Sequence, residues 1–80
     1  METKLAVLAI MITDNKAVET VNALLHDFRE FVVGRMGIPY RQKNVNIISV
    51  VLDAPIEAIN GLSGKLGMIN GVSSKVLTAK

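Results

Sequence analysis

Two apolar runs, the second of them largely β-branched, constrain the fold of this chain most strongly. They occupy residues 5–12 and residues 45–52, and in the second run Asn46 and Ser49 are the polar interruptions. Each run is far shorter than the ~20 residues of a membrane-spanning helix and has the length and composition of a buried strand. Alternate residues of a strand point to opposite faces of its sheet, and here both sets are apolar. We therefore predict two central strands with apolar side chains on both faces.

Apolar stripes with helical spacing predict two helices. Residues 17–28 carry the first stripe, behind a polar turn at residues 13–15, and residues 56–69 carry the second. Pro55 suits the first turn of the second helix, and the Asn-Gly pair that follows residue 69 suits its end.

Two further extended segments, residues 31–40 and residues 72–78, complete the order β-α-β-β-α-β. Pro39 cannot donate to a sheet ladder, so its segment belongs at a sheet edge, and weak alternation places the last strand at the other edge. Right-handed crossovers put the two apolar runs in the middle. The prediction is an α+β chain with one domain over residues 1–80, a ferredoxin-like two-layer sandwich with a four-stranded antiparallel sheet.

The apolar character of both sheet faces predicts self-association. Two helices cover one face of such a sheet, and a large exposed apolar patch usually marks an interface. We expect a homo-oligomer, a dimer or a tetramer, whose copies meet through the uncovered face, with pairing of edge strands as a possible extension. The predicted interface residues are Leu5, Val7, Ala9, Met11, Val45, Ile47 and Val51.

Composition argues against several classes of function. The chain has no cysteine, and His26 is its one histidine, so we predict no metal site and no cofactor, although symmetric copies could bring His26 side chains together. The net charge of +2 is scattered, which does not favour a nucleic-acid surface. The first apolar run has eight residues and no cleavage site after it, so we expect a cytoplasmic protein without a membrane partner.

Residues 34–41 invite a catalytic interpretation that the sequence does not support. Gly34, Arg35 and Gly37 faintly resemble the phosphate loop of acylphosphatases, which share this topology, but that loop joins the first strand to the first helix. An edge strand whose glycines permit a bulge or a close subunit approach is favoured instead. No serine has an evident base beside it, so we expect no enzyme.

Glycine recurs every third residue on the second predicted helix, at Gly61, Gly64 and Gly67. Such a row allows close packing against the sheet, against the other helix or against a neighbouring subunit, and a slot for a small ligand is a further alternative.

Taken together, several segments of the chain resemble the regulators of iron-only hydrogenase systems. The segments are Val33-Gly34-Arg35-Met36-Gly37-Ile38-Pro39-Tyr40, Val45-Asn46-Ile47-Ile48-Ser49-Val50-Val51 and Gly64-Lys65-Leu66-Gly67, with Gly71-Val72 and Lys75. That family is similar to ACT-like domains and to the regulatory domain of nickel-responsive repressors. The nickel ligands of those repressors have no match here, and neither does the turn glycine of amino-acid-binding ACT domains.

The resemblance implies a stand-alone effector or assembly domain, in the setting of transcriptional regulation, without a DNA-binding part. We expect a small effector at a subunit interface and a signal to a protein partner; the alternative is a structural homo-oligomerisation module without a ligand. The first candidate effector-binding residues are Thr13, Asp14 and Asn15, because their turn adjoins a helix N-terminus suited to anions. The second are Gly34, Arg35 and Gly37.

Overall fold

The computed structural model describes residues 2–79, and its elements follow the predicted order. They are β1 (Lys4–Ile12), α1 (Val18–Asp27), β2 (Val32–Tyr40), β3 (Val45–Ala54), α2 (Ile56–Gly67) and β4 (Val72–Thr78). Short 3-10 turns precede α1 and join α1 to β2 and β2 to β3. Neither helix in this part of the chain has the length and apolar content needed to cross a membrane.

The four strands form one sheet in the order β2-β3-β1-β4, with every neighbouring pair antiparallel. The two apolar runs are therefore central, and the strand with Pro39 and the last strand are the edges, as predicted. With both helices on one side, this is the ferredoxin-like two-layer arrangement, and the fold prediction is confirmed.

The core lies between the sheet and the two helices. Alternate residues of β1 and β3, such as Leu8 and Val50, are fully buried there, and the register pairs these two directly. From the helices, Val21, Leu62 and Leu66 fill the same layer. The buried residues among those described are all apolar, so apolar packing is the main interaction between the layers.

The helix boundaries differ from the sequence prediction by one or two residues. The Asp14 side chain accepts a hydrogen bond from the backbone N–H of Lys16 at 3.0 Å, so a 3-10 turn forms first and α1 begins at Val18. At the other end, α2 stops at Gly67 although Ile69 still packs against the core. The apolar stripe therefore extends beyond the helix that it predicts.

The glycine row of α2 does not pack against the sheet or against α1. Gly61, Gly64 and Gly67 are exposed, and a Cβ built on each would meet no atom within 4 Å. The interpretation of this row as a close approach to the sheet or to the other helix is wrong. A neighbouring copy and a small ligand remain the alternatives.

Gly71 is the glycine that the fold requires. It has a φ of +80°, and a Cβ there would lie 2.5 Å from the Asp14 Cβ. The Gly71 carbonyl accepts hydrogen bonds from the Thr13 backbone N–H at 2.7 Å and from the Thr13 hydroxyl at 3.2 Å. This contact fastens the turn before α1 to the start of β4.

We predict opposite effects of alanine at Gly64 and at Gly71. Gly64→Ala should raise the free energy of unfolding by about 0.5–1 kcal/mol, because alanine is the better helix former and space is available. Gly71→Ala should lower it by about 1–3 kcal/mol, through the positive φ and the contact with Asp14. Denaturant titration of both variants checks this, and destabilisation by Gly64→Ala would show that the row packs against something.

Candidate functional sites: an open sheet face and a groove

The sheet face opposite the helices, called the open face, is mainly apolar. The pairing of Val7 with Val51 and of Met36 with Ser49 shows which residues share this side. It carries Leu5, Val7, Ala9 and Met11 from β1, Gly34, Met36, Ile38 and Tyr40 from β2, Val45, Ile47, Ser49, Val51 and Asp53 from β3, and Ser73, Lys75 and Leu77 from β4. All seven residues predicted for the interface lie on it.

The edge strands add apolar side chains that the sequence prediction did not include. Met36 is 63% exposed, Ile38 49% and Leu77 73%. A bulge between Val32 and Gly34 shifts the alternation of β2 against β3, so faces cannot be counted from the start of the strand. The alternation of Met36, Ile38 and Tyr40 after the bulge is the signal that could have identified them.

On the helix side of the sheet, a groove runs between α1 and β2. It consists of three adjoining cavities of about 330, 220 and 190 Å³. The first two share Asn22 and Arg35, and the last two share Pro39 and Asn46. We call this feature the α1–β2 groove. It exists because β2 is an edge strand and because Gly37, on the helix side of β2, has no side chain to fill the middle cavity.

All three arginines of the chain line the α1–β2 groove. Arg35 Nη2 donates to Asn22 Oδ1 at 2.9 Å, and Arg29 Nη1 donates to the carbonyl of His26 at 3.0 Å. Both of these acceptor groups are neutral, and no Asp or Glu among residues 2–79 lines the three cavities. The groove therefore has a positive charge that its own walls do not neutralise.

The far end of the groove is polar and closed by the β2–β3 connection. Asn46 Nδ2 donates to Asn15 Oδ1 at 3.2 Å, which joins the turn before α1 to β3. Asn44 takes a left-handed conformation with a φ of 55°, and it lines the 190 Å³ cavity together with Tyr40 and Arg41.

The structure does not bring the predicted effector residues into one place. Thr13 and Asp14 contact Gly71 beside β4, whereas Arg35 and Gly37 belong to β2, at the opposite edge of the sheet. Asn15 reaches the groove, next to Asn46. Gly34 pairs with Val51 and so lies on the open face. Asn22, Arg29 and Asn46 are groove residues that the sequence prediction missed, because their proximity depends on the packing of α1.

His26 is exposed and lines the 330 Å³ cavity beside Arg29. Within residues 2–79, no group of three His, Cys, Asp or Glu side chains could hold a metal ion.

Comparison with known proteins identifies the family. A family model described as "TM1266-like: Iron-only hydrogenase system regulator, putative" matches residues 4–76. The chain belongs to this family. The resemblance noted in the sequence is thereby confirmed for the TM1266-like family over nearly the whole chain.

Solved structures agree with this assignment. The uncharacterized protein TM1266 from Thermotoga maritima is 41% identical, with a TM-score of 0.95, over 99% of this chain and 100% of that one. A formyltetrahydrofolate deformylase from Pseudomonas putida KT2440 is 16% identical, with a TM-score of 0.65, over 91% of this chain and 28% of the enzyme, a likeness of fold alone. No curated protein sequence matches the chain.

For this member of the TM1266-like family, we predict that Asp14 acts in stability through its hydrogen bond to Lys16 N. Asp14→Ala should lower the free energy of unfolding by about 1 kcal/mol, the usual effect of losing an N-cap side chain. Asp14→Asn, which keeps an acceptor oxygen, should lower it by less. Denaturant midpoints of the two variants provide the test, and equal losses would show that the hydrogen bond contributes little.

Proposed function

We propose that the chain is a regulatory domain of an iron-only hydrogenase system and not an enzyme. In this proposal it works as a homo-oligomer that binds a small effector next to the subunit interface and passes the change to a protein partner. The family assignment supports the regulatory role. The exposed apolar surface of the open face supports the proposed assembly.

The size of the open face suits contact between two copies. Four strands spaced about 4.8 Å apart and roughly 25 Å long cover about 500 Å², so two faces together would remove about 1,000 Å² from water, near the lower limit of a specific interface. The half-buried Ile47 and Val51 lie at its centre, and the more exposed Leu5, Met11 and Met36 surround them. A second copy of the same face matches this apolar surface, because an isologous contact joins identical patches.

Strand β2 offers a physical link between an effector and the oligomer. Arg35 and Gly37 face the α1–β2 groove, and their neighbours Met36 and Ile38 face the open side. Among residues 2–79, this edge strand has a ladder to β3 alone. A ligand in the groove that moves β2 would therefore also move residues of the proposed interface. Coupling between two sites requires that a ligand at one site favours one arrangement of the other site.

The candidate effector residues form two separate groups in this proposal. Asn15, Arg35 and Gly37 line the groove. Thr13 and Asp14 lie in a turn where the Lys16 N–H already donates to the Asp14 side chain, and the Asp14 carboxylate would repel an anion. The groove group is therefore the better place to seek an effector. A structural assembly module would keep the open face and would have no need of the groove, so ligand binding separates the two functions.

We predict that a charge at the centre of the open face prevents assembly. Val7 is 40% exposed in the single chain, so Val7→Lys should leave the monomer folded, with the ammonium group in water. Burying that unpaired ammonium between two copies is unfavourable by several kcal/mol. Native mass spectrometry should show the wild type as a multiple of the 8.6 kDa chain and the variant as a single chain.

Met68→Lys is the matched control, because Met68 is 85% exposed and follows α2 on the other side of the molecule. It adds the same charge and should leave the assembly unchanged. A wild type with the mass of one chain would contradict the oligomer, and a Val7→Lys variant with the wild-type mass would contradict this interface.

A further inference from the structure

The α1–β2 groove combines features that select for a small anion, and none of them was needed to explain the open face. Its walls contain every arginine of the chain and, among residues 2–79, no carboxylate side chain. We propose that this groove binds a small organic dianion, of which a phosphate monoester is the model, between Arg29 and Arg35. The inference names the chemical class of the effector and so rests on the proposed function.

Arginines are separated from lysines and from carboxylates around the groove. The chain has nine Lys and Arg and seven Asp and Glu, so chance would place carboxylates near most basic groups. Among residues 2–79, no lysine lines the groove, whereas all three arginines do. Arginine presents a planar fork of donors that matches two oxygens of a phosphate or carboxylate, whereas lysine acts as a point charge.

Each of the two guanidinium groups is positioned by a hydrogen bond. The hydrogen bond from Arg35 to Asn22 uses one of five N–H donors, and Arg35 lines both adjoining cavities. Arg29 is held over the same cavity by its bond to the His26 carbonyl, at the end of α1. The positive guanidinium there offsets part of the negative character of this helix end.

The size and lining of the cavities also suit a small ligand. The cavity lined by Arg29, Arg35, Asn22 and His26 measures about 330 Å³, within the range of small-molecule sites. The adjoining cavity has the accessible apolar side chains of Val18 and Pro39 among its lining residues, and Gly37 adds no side chain there. The anionic group of a ligand would therefore lie at the charged end of the groove, and the carbon part of the same ligand would contact the apolar surface beside it.

The test is a titration of the whole chain followed by amide NMR shifts. The probes are inorganic phosphate and glycerol 3-phosphate, with glycerol as the uncharged control, at ionic strength held constant by chloride. Saturable shifts centred on residues 22, 29, 35 and 37, from both phosphate probes and not from glycerol, support the proposal.

Variants separate a site from general charge. Arg35→Gln should weaken glycerol 3-phosphate binding by about tenfold to a hundredfold, the effect of losing hydrogen bonds to a charged group. Lys4→Gln, which removes the same charge at the start of β1, should have little effect. Gly37→Val, which leaves every charge in place and fills the middle cavity, should weaken glycerol 3-phosphate more than inorganic phosphate.

Several outcomes would overturn the proposal. They are shifts without saturation, equal losses in Arg35→Gln and Lys4→Gln, or shifts seen with a short RNA and with neither phosphate probe. Native mass spectrometry of the same samples keeps the two proposals distinct. An oligomer without phosphate binding contradicts the groove and leaves the assembly standing. A monomer that binds phosphate contradicts the assembly and leaves the groove standing.

Discussion

The structure depends on a mismatch between the two faces of its sheet and the helices available to cover them. Strands β1 and β3 are apolar on both sides, yet both helices lie on one side. The covered side holds a core of fully buried aliphatic residues such as Leu8, Val50 and Leu62. The uncovered side of these two strands is also mainly apolar, so the force that builds the core would favour the contact between copies that we propose. Stability and the proposed assembly thus depend on the same two strands.

The groove follows from the same arrangement at a different place. Both helices pack against the buried residues of β1 and β3, whereas β2 is exposed from Val33 to Tyr40, so the helix-facing side of β2 stays partly uncovered. In the central strands this side is aliphatic, whereas β2 places Arg35 and Gly37 there. The sheet edge that the helices leave open is therefore where the chain changes from packing residues to polar and charged ones.

Much of the fold could be predicted from sequence, because hydrophobic periodicity is a local property. The two central strands, the edge position of the Pro39 segment and the strand order all follow from patterns within ten residues and from crossover handedness. The seven interface candidates could be assigned to one face for the same reason. The groove could not, since Arg29, Arg35 and Asn22 lie on different elements and meet through packing alone. The interpretation of the glycine row as a close packing contact within the chain was wrong, because the spacing of residues on a helix does not reveal which side faces the core.

The bulge at Val33 has a consequence for the lengths that chains of this fold can have. One extra residue stands between Val32, which pairs with Leu52, and Gly34, which pairs with Val51. Elsewhere in β2, losing or gaining one residue would exchange the two faces, so that arginine would project from the apolar side and methionine into the groove. Removal of Val33 alone would restore regular pairing and leave both surfaces as they are. Single-residue deletions among related chains should therefore be tolerated at this position and rare along the rest of the strand.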